Sequence, residues 1–118
     1  METKLGVVET RFADIVWENA PLTTLELVAI CKEELNWART TTYTVLKKLC
    51  QREIFEMKAG RVTILVPKEE FYAIRCQQFV MENFQGSLPQ FVAAFVARQR
   101  ISREDIAQLK NLVNSIGE

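Results

Sequence analysis

The chain contains no histidine. That absence removes the Ser-His-Asp triad, the Cys-His pair, the two-histidine carboxylate iron site and the H-E-x-x-H zinc motif. Its four glycines are scattered and form no phosphate-cradling loop, so an enzyme is not expected, and no cofactor or metal is implied. Cys31, Cys50 and Cys76 stand singly, without a C-x-x-C or C-x-C pair. They read as buried free thiols of a reducing cytoplasm, with a redox-sensing Cys50, close to a basic segment, as the alternative. No stretch approaches the roughly 20 apolar residues that span a bilayer, so membrane insertion is not expected. Met1-Glu2-Thr3-Lys4 lacks a basic region followed by an apolar one, which predicts no secretory signal and a cytoplasmic location. An excess of positive charge is also missing: 15 Lys and Arg balance 15 Asp and Glu. On its face that balance counts against a nucleic-acid partner.

What remains is 118 residues with the 48% apolar and 25% charged composition of a globular protein, enough for one domain or two small ones. Val8, Phe12, Ile15 and Val16 recur at helical spacing and predict a helix over 5–18. Asn19-Ala20-Pro21 breaks it, and Thr23 with Glu26 forms a capping box for a second helix bearing Leu27, Val28, Cys31 and Leu35. A third helix is predicted over 38–51. The period then changes to two β-prone runs, 54–58 and 61–66, around Ala59-Gly60, which read as a hairpin. Three helices followed by a hairpin is the element order of a winged helix-turn-helix.

Beyond Pro67 the pattern is helical: 68–84, a strongly apolar helix opened by Ser87 and Pro89, and a last helix capped by Ser102. Ile106, Leu109, Leu112, Val113 and Ile116 form one stripe on that last helix. Some 50 residues in three helices hardly bury so many apolar side chains alone, and no disulfide or metal motif helps them. A self-complementary dimer solves the problem. The expected organisation is a mainly α protein with a small β-hairpin wing: winged-helix domain 1–67 and helical dimerisation domain 68–118. Phe79, Phe84, Phe91, Val92, Phe95, Leu109, Leu112, Val113 and Ile116 are the expected dimer contacts.

The third helix bears on function. With residues about 100° apart, Thr42, Val45, Leu46 and Leu49 share the side that must face a core. Opposite lie Thr40, Thr44, Lys47 and Gln51, flanked by Thr41, Tyr43 and Lys48, and that face holds no carboxylate. Hydroxyls and cations suit a major groove, where they meet base edges and phosphates. Four threonines within five positions are poor helix formers, which points to a functional reason for them. The charge is also local. Residues 1–37 hold three cations and seven anions, or −4, whereas 38–62 hold six cations and two anions, or +4. The neutral total hides a basic helix and wing.

The run Trp37-Ala38-Arg39-Thr40-Thr41-Thr42-Tyr43-Thr44-Val45-Leu46-Lys47-Lys48-Leu49 resembles the recognition helix of the penicillinase-repressor family, which includes methicillin-resistance and copper-transport operon repressors. The wing Lys58-Ala59-Gly60-Arg61-Val62, Trp17, the Phe84-Gln85-Gly86-Ser87-Leu88 junction and the run Ile101–Leu109 also match, so the similarity covers nearly the whole chain in order. The resemblance implies a homodimeric repressor whose winged helix binds a palindromic double-stranded DNA operator. It also implies, for members that answer to β-lactams, a membrane sensor metalloprotease that triggers cleavage in the penultimate helix. The family cuts an Asn-Phe bond there. The aligned bond in this chain is Ala94-Phe95, which keeps the phenylalanine and not the asparagine. The copper-sensing branch carries C-x-C pairs that this chain lacks. Ala38 stands where a serine-like cap is common, and Glu53 replaces a glycine after the recognition helix.

The sequence is therefore read as a DNA-binding repressor using Arg39, Thr40, Thr41, Tyr43, Thr44, Lys47 and Lys48 on the third helix and Lys58 and Arg61 on the wing. The alternatives are a winged helix that binds protein, and a thiol-responsive regulator using Cys50.

Overall fold

A computed structural model describes residues 1–117 and contains six helices and one three-stranded antiparallel sheet. The chain divides into two compact units, Met1–Cys76 and Gln77–Glu118.

In the first unit α1 (Val7–Asn19) turns Phe12, Ala13, Ile15 and Val16 into the core. Val8, expected on the same stripe, is exposed, because the buried face begins one turn later. α2 (Thr24–Leu35) starts as the capping box requires: the Thr23 hydroxyl accepts from the Glu26 N–H at 3.1 Å and the Glu26 carboxylate accepts from the Thr23 N–H at 3.3 Å. It ends at Asn36, whose φ of 55° is left-handed, a conformation asparagine tolerates. α3 (Arg39–Gln51) follows after Trp37 and Ala38, completing the helix-turn-helix.

The hairpin joins β2 (Phe55–Lys58) to β3 (Arg61–Ile64) with Lys58 opposite Arg61, leaving the two-residue loop Ala59-Gly60 at φ of 52° and 74°. Two successive positive φ values are those of a type I′ turn, whose twist matches that of the strands. A strand absent from the sequence reading, β1 (Leu22–Thr23), pairs with β3, giving the order β1-β3-β2. The loop is fastened further by the Thr24 N–H, which donates to the Gly60 carbonyl at 2.9 Å.

Phe12, Phe55, Phe71, Leu27, Leu46 and Leu49 are fully buried, each contributing on the order of 1.5–3 kcal/mol by transfer from water. Trp17 closes one side, packing on Phe55 and Phe71 and donating its indole N–H to the Val66 carbonyl at 3.0 Å. Phe71 belongs to the first turn of α4 (Lys68–Phe84), whose Lys68 pairs with Asp14 of α1 at 2.9 Å.

The second unit holds the remainder of α4, α5 (Leu88–Arg98) and α6 (Arg103–Ile116), with α5 and α6 capped by the Ser87 and Ser102 hydroxyls. Neither α5 nor α6 has a buried residue, although both are amphipathic. No helix among the described residues is long and apolar enough to cross a membrane.

Candidate nucleic-acid interface

α3 orients the site. Its inner face buries Thr42, Leu46 and Leu49 against the core, with Val45 half-buried. The opposite side leaves Thr40, Thr41, Thr44, Lys47 and Gln51 exposed, as the helical spacing requires. Thr42 therefore has a packing role: its hydroxyl is buried and donates to the Ala38 carbonyl at 3.3 Å. Three of the four threonines remain as outward hydroxyls. Thr44 donates to the Thr40 carbonyl at 2.9 Å, so its oxygen lone pairs are what it offers to a partner. Ala38 gives α3 no side-chain cap.

Arg39 and Tyr43 form a unit one turn apart. The guanidinium carbon lies 5.7 Å from the Tyr43 ring centroid, a cation–π distance. Hydrogen bonding from the Thr24 side chain, then from Arg39, holds the Tyr43 phenol below its ordinary pKa. Tyr43 thus ties the start of α2 to α3 and steadies Arg39. Lys48, also expected at bases or phosphates, is engaged within the protein. Its Nζ lies 3.1 Å from Glu9 Oε2 on α1. Arg52 likewise turns inward, donating to the Lys4 carbonyl at 2.8 Å. Of the six cations between residues 38 and 62, Arg39, Lys47, Lys58 and Arg61 carry no ion pair among the described residues.

At the wing, Lys58 and Arg61 are directly opposed across the last rung before the turn, and both are exposed. Like charges in that position disfavour the pair. An anion bound between them removes the penalty. Glu53 sits between α3 and the wing with a φ of 61°, so the turn keeps the left-handed geometry of a glycine with a glutamate in it.

The cysteines differ from one another. Cys31 is buried, Cys50 half-buried and Cys76 exposed. Burial pushes the Cys50 thiol upward, against a smaller opposing hydrogen bond with the Met57 backbone, which is the reverse of what a reactive thiolate needs. Among the described residues no group of acidic or cysteine side chains is arranged to hold a metal ion.

In the second unit Phe79, Phe84, Phe91 and Phe95 form a chain of ring contacts with centroids 5.7–6.5 Å apart. Phe84 and Phe91 are half-buried, whereas Phe79, Val92, Phe95, Leu109, Leu112, Val113 and Ile116 are exposed, Ile116 to 72%. Ala94 and Phe95 lie within α5, with their side chains exposed.

This arrangement has relatives. The profile of the penicillinase repressor family matches residues 5–115. The chain belongs to that family. It is a family of DNA-binding transcriptional repressors, so the protein is a regulator of transcription and not an enzyme. A penicillinase repressor of Bacillus licheniformis is 21% identical over 114 residues, covering 93% of this chain and 89% of the relative. The methicillin resistance regulatory protein MecI of Staphylococcus aureus is 18% identical over 115 residues, covering 94% of each. Among solved structures, Staphylococcus aureus MarR in complex with salicylate and kanamycin is similar at 18% identity and a TM-score of 0.46, covering 97% of this chain and 72% of that one.

Proposed function

We propose that this repressor is a cytoplasmic homodimer that occludes a promoter by binding a palindromic operator. The observation that carries the DNA contact is the outward face of α3, which offers hydroxyls, an amide and Lys47 with no carboxylate. In this reading Thr40, Thr44 and Lys47 face base edges in the major groove, Thr41 and Tyr43 lie on nearby bases or phosphates, and Arg39 approaches from the helix N-terminus. Lys58 and Arg61 hold the flanking backbone. In this reading residues 1–67 read DNA and residues 68–118 dimerise, although the first turn of α4 packs with the first compact unit through Phe71.

The dimer is supported by α5 and α6, which are amphipathic and have no fully buried residue among the described residues. Two α3 helices related by a two-fold axis then read half-sites separated by one helical turn, about 34–36 Å, or a multiple of it. Relief of repression by a membrane sensor metalloprotease would act at Ala94-Phe95. That bond is inside α5, so the helix must open locally before a protease cleft can take it in extended form.

The test combines sedimentation of the free protein with gel-shift titration on duplexes from upstream of its own gene. A dimer that shifts one fragment in the presence of excess random DNA is expected. A monomer, or a shift without sequence preference, refutes the reading.

A further inference from the structure

α3 carries adjacent lysines, and the fold treats them differently. Lys47 points outward, whereas Lys48 ends 3.1 Å from Glu9 Oε2. The glutamate is itself held, since its Oε1 accepts from the Gly6 N–H at 3.2 Å across the first turn of α1. Its side chain is only 20% exposed, while that of Lys48 is 53% exposed. Burial raises the Glu9 pKa, but the Gly6 hydrogen bond, Lys48 and the charge of Arg52 together outweigh it, and the net direction is downward. Just past the end of α3, its C-cap residue Arg52 is fastened to the Lys4 carbonyl. The acidic N-terminal region thus engages the two cations at the end of α3 that the outward face does not use.

A carboxylate offers an ammonium what a phosphate offers it: a delocalised negative charge with two acceptor oxygens. Resting on the DNA-binding reading above, we propose that Glu9 is an internal phosphate surrogate. It keeps Lys48 out of the backbone contact and thereby limits sequence-independent binding to DNA. Such binding is almost entirely electrostatic, and its strength follows the number of phosphates neutralised. Each lysine held by a carboxylate of the same chain is subtracted from that number. Lys48 is exposed enough to exchange partners, so the subtraction depends on Glu9 and not on burial of the amine.

The probe is a random-sequence duplex of about two helical turns, titrated by fluorescence anisotropy between roughly 50 and 200 mM salt. Glu9→Gln keeps an acceptor for the Gly6 N–H and removes the charge. It is expected to bind the duplex more tightly, with the salt slope steeper by about 0.9 per chain. Glu9→Gln with Lys48→Met should return the slope to that of the unsubstituted protein, and Lys48→Met alone should leave it there. Asp14→Asn removes the same charge from the same helix but frees Lys68 of α4, and its slope should not change. The inference is overturned by an unchanged slope in Glu9→Gln, by equal steepening in Asp14→Asn, by a steep slope surviving in the double variant, or by a flattened slope in Lys48→Met. Failure of Glu9→Gln to fold leaves the Lys48→Met slope to decide. An unsubstituted chain that binds neither random nor promoter DNA overturns the DNA reading and this inference together, whereas binding with an unchanged Glu9→Gln slope overturns the inference alone.

Discussion

Replacing Arg61 by alanine separates phosphate contact from base reading. Arg61 stands at the wing tip opposite Lys58, exposed and without an ion pair among the described residues. Its removal leaves the core untouched and relieves a cross-strand repulsion, so stability should hold or rise by about 0.2–1 kcal/mol. The proposed dimer would carry two such wings. Losing one phosphate contact from each flattens the plot of log K against log salt by about 1.8, because each contact contributes about 0.9. Over a fourfold rise in salt that difference amounts to about 12-fold: the unsubstituted protein weakens by that much more than the variant. Filter binding at four salt concentrations, on promoter and random duplexes alike, measures it. The loss should be the same on both, since a phosphate contact reports no sequence. A flattening of only about 0.9 would mean a single wing on the DNA, and an unchanged slope would refute the wing assignment.

Other substitutions probe other parts. Thr44→Ala removes an oxygen whose proton is committed to the Thr40 carbonyl, so the lost partner is a base donor such as an adenine or cytosine amino group. Discrimination at one operator position should fall by about 1 kcal/mol, read as binding to single-base variants, with little change on random DNA. Glu53→Gly should stabilise the fold by about 0.5–1 kcal/mol in urea, because a left-handed non-glycine residue costs about 1–2 kcal/mol and glycine returns part of that as chain entropy; a destabilised variant would show that the glutamate has a compensating contact. The depressed pKa of Glu9 makes its contribution to stability fully present above its ordinary value of 4.5 and lost as the pH falls through the lower folded value. Urea midpoints followed downward from pH 6 should therefore decline less steeply in Glu9→Gln, and parallel curves would show that the ion pair adds nothing.

The outward face of α3 was legible because one period settles two questions. The spacing that places Leu46 and Leu49 inward leaves Thr40, Thr44 and Lys47 outward, and the structure has them so. Ala59-Gly60 announced the hairpin for a similarly local reason, being the pair of residues at the two positive φ angles of the turn. What escaped the sequence was what depends on distant partners. β1 is two residues long and ends on the threonine that caps α2, so its capping signal concealed its pairing with β3. Lys48 looked like any cation of a basic helix, since nothing near it in sequence reveals Glu9. Val8 had the right spacing but lies a turn short of where α1 meets the core. In each case the local pattern stated a preference, and a partner on another element decided the outcome.

The hydrogen bond from Thr24 to Gly60 has a consequence for how such a protein measures its target. Because β1 and that bond strap the wing to the start of α2, the wing is not a loose finger that closes on whatever duplex it meets. In the proposed complex, the span from Lys58 and Arg61 to the hydroxyls of α3 is set in advance, like the jaws of a locked caliper. A rigid gauge transfers the work of fitting to the duplex, and the elastic cost of fitting depends on base sequence even where no side chain touches a base. If α3 and the wing contact DNA as proposed, strapping the wing makes the repressor weigh the stiffness of its operator as well as read its letters.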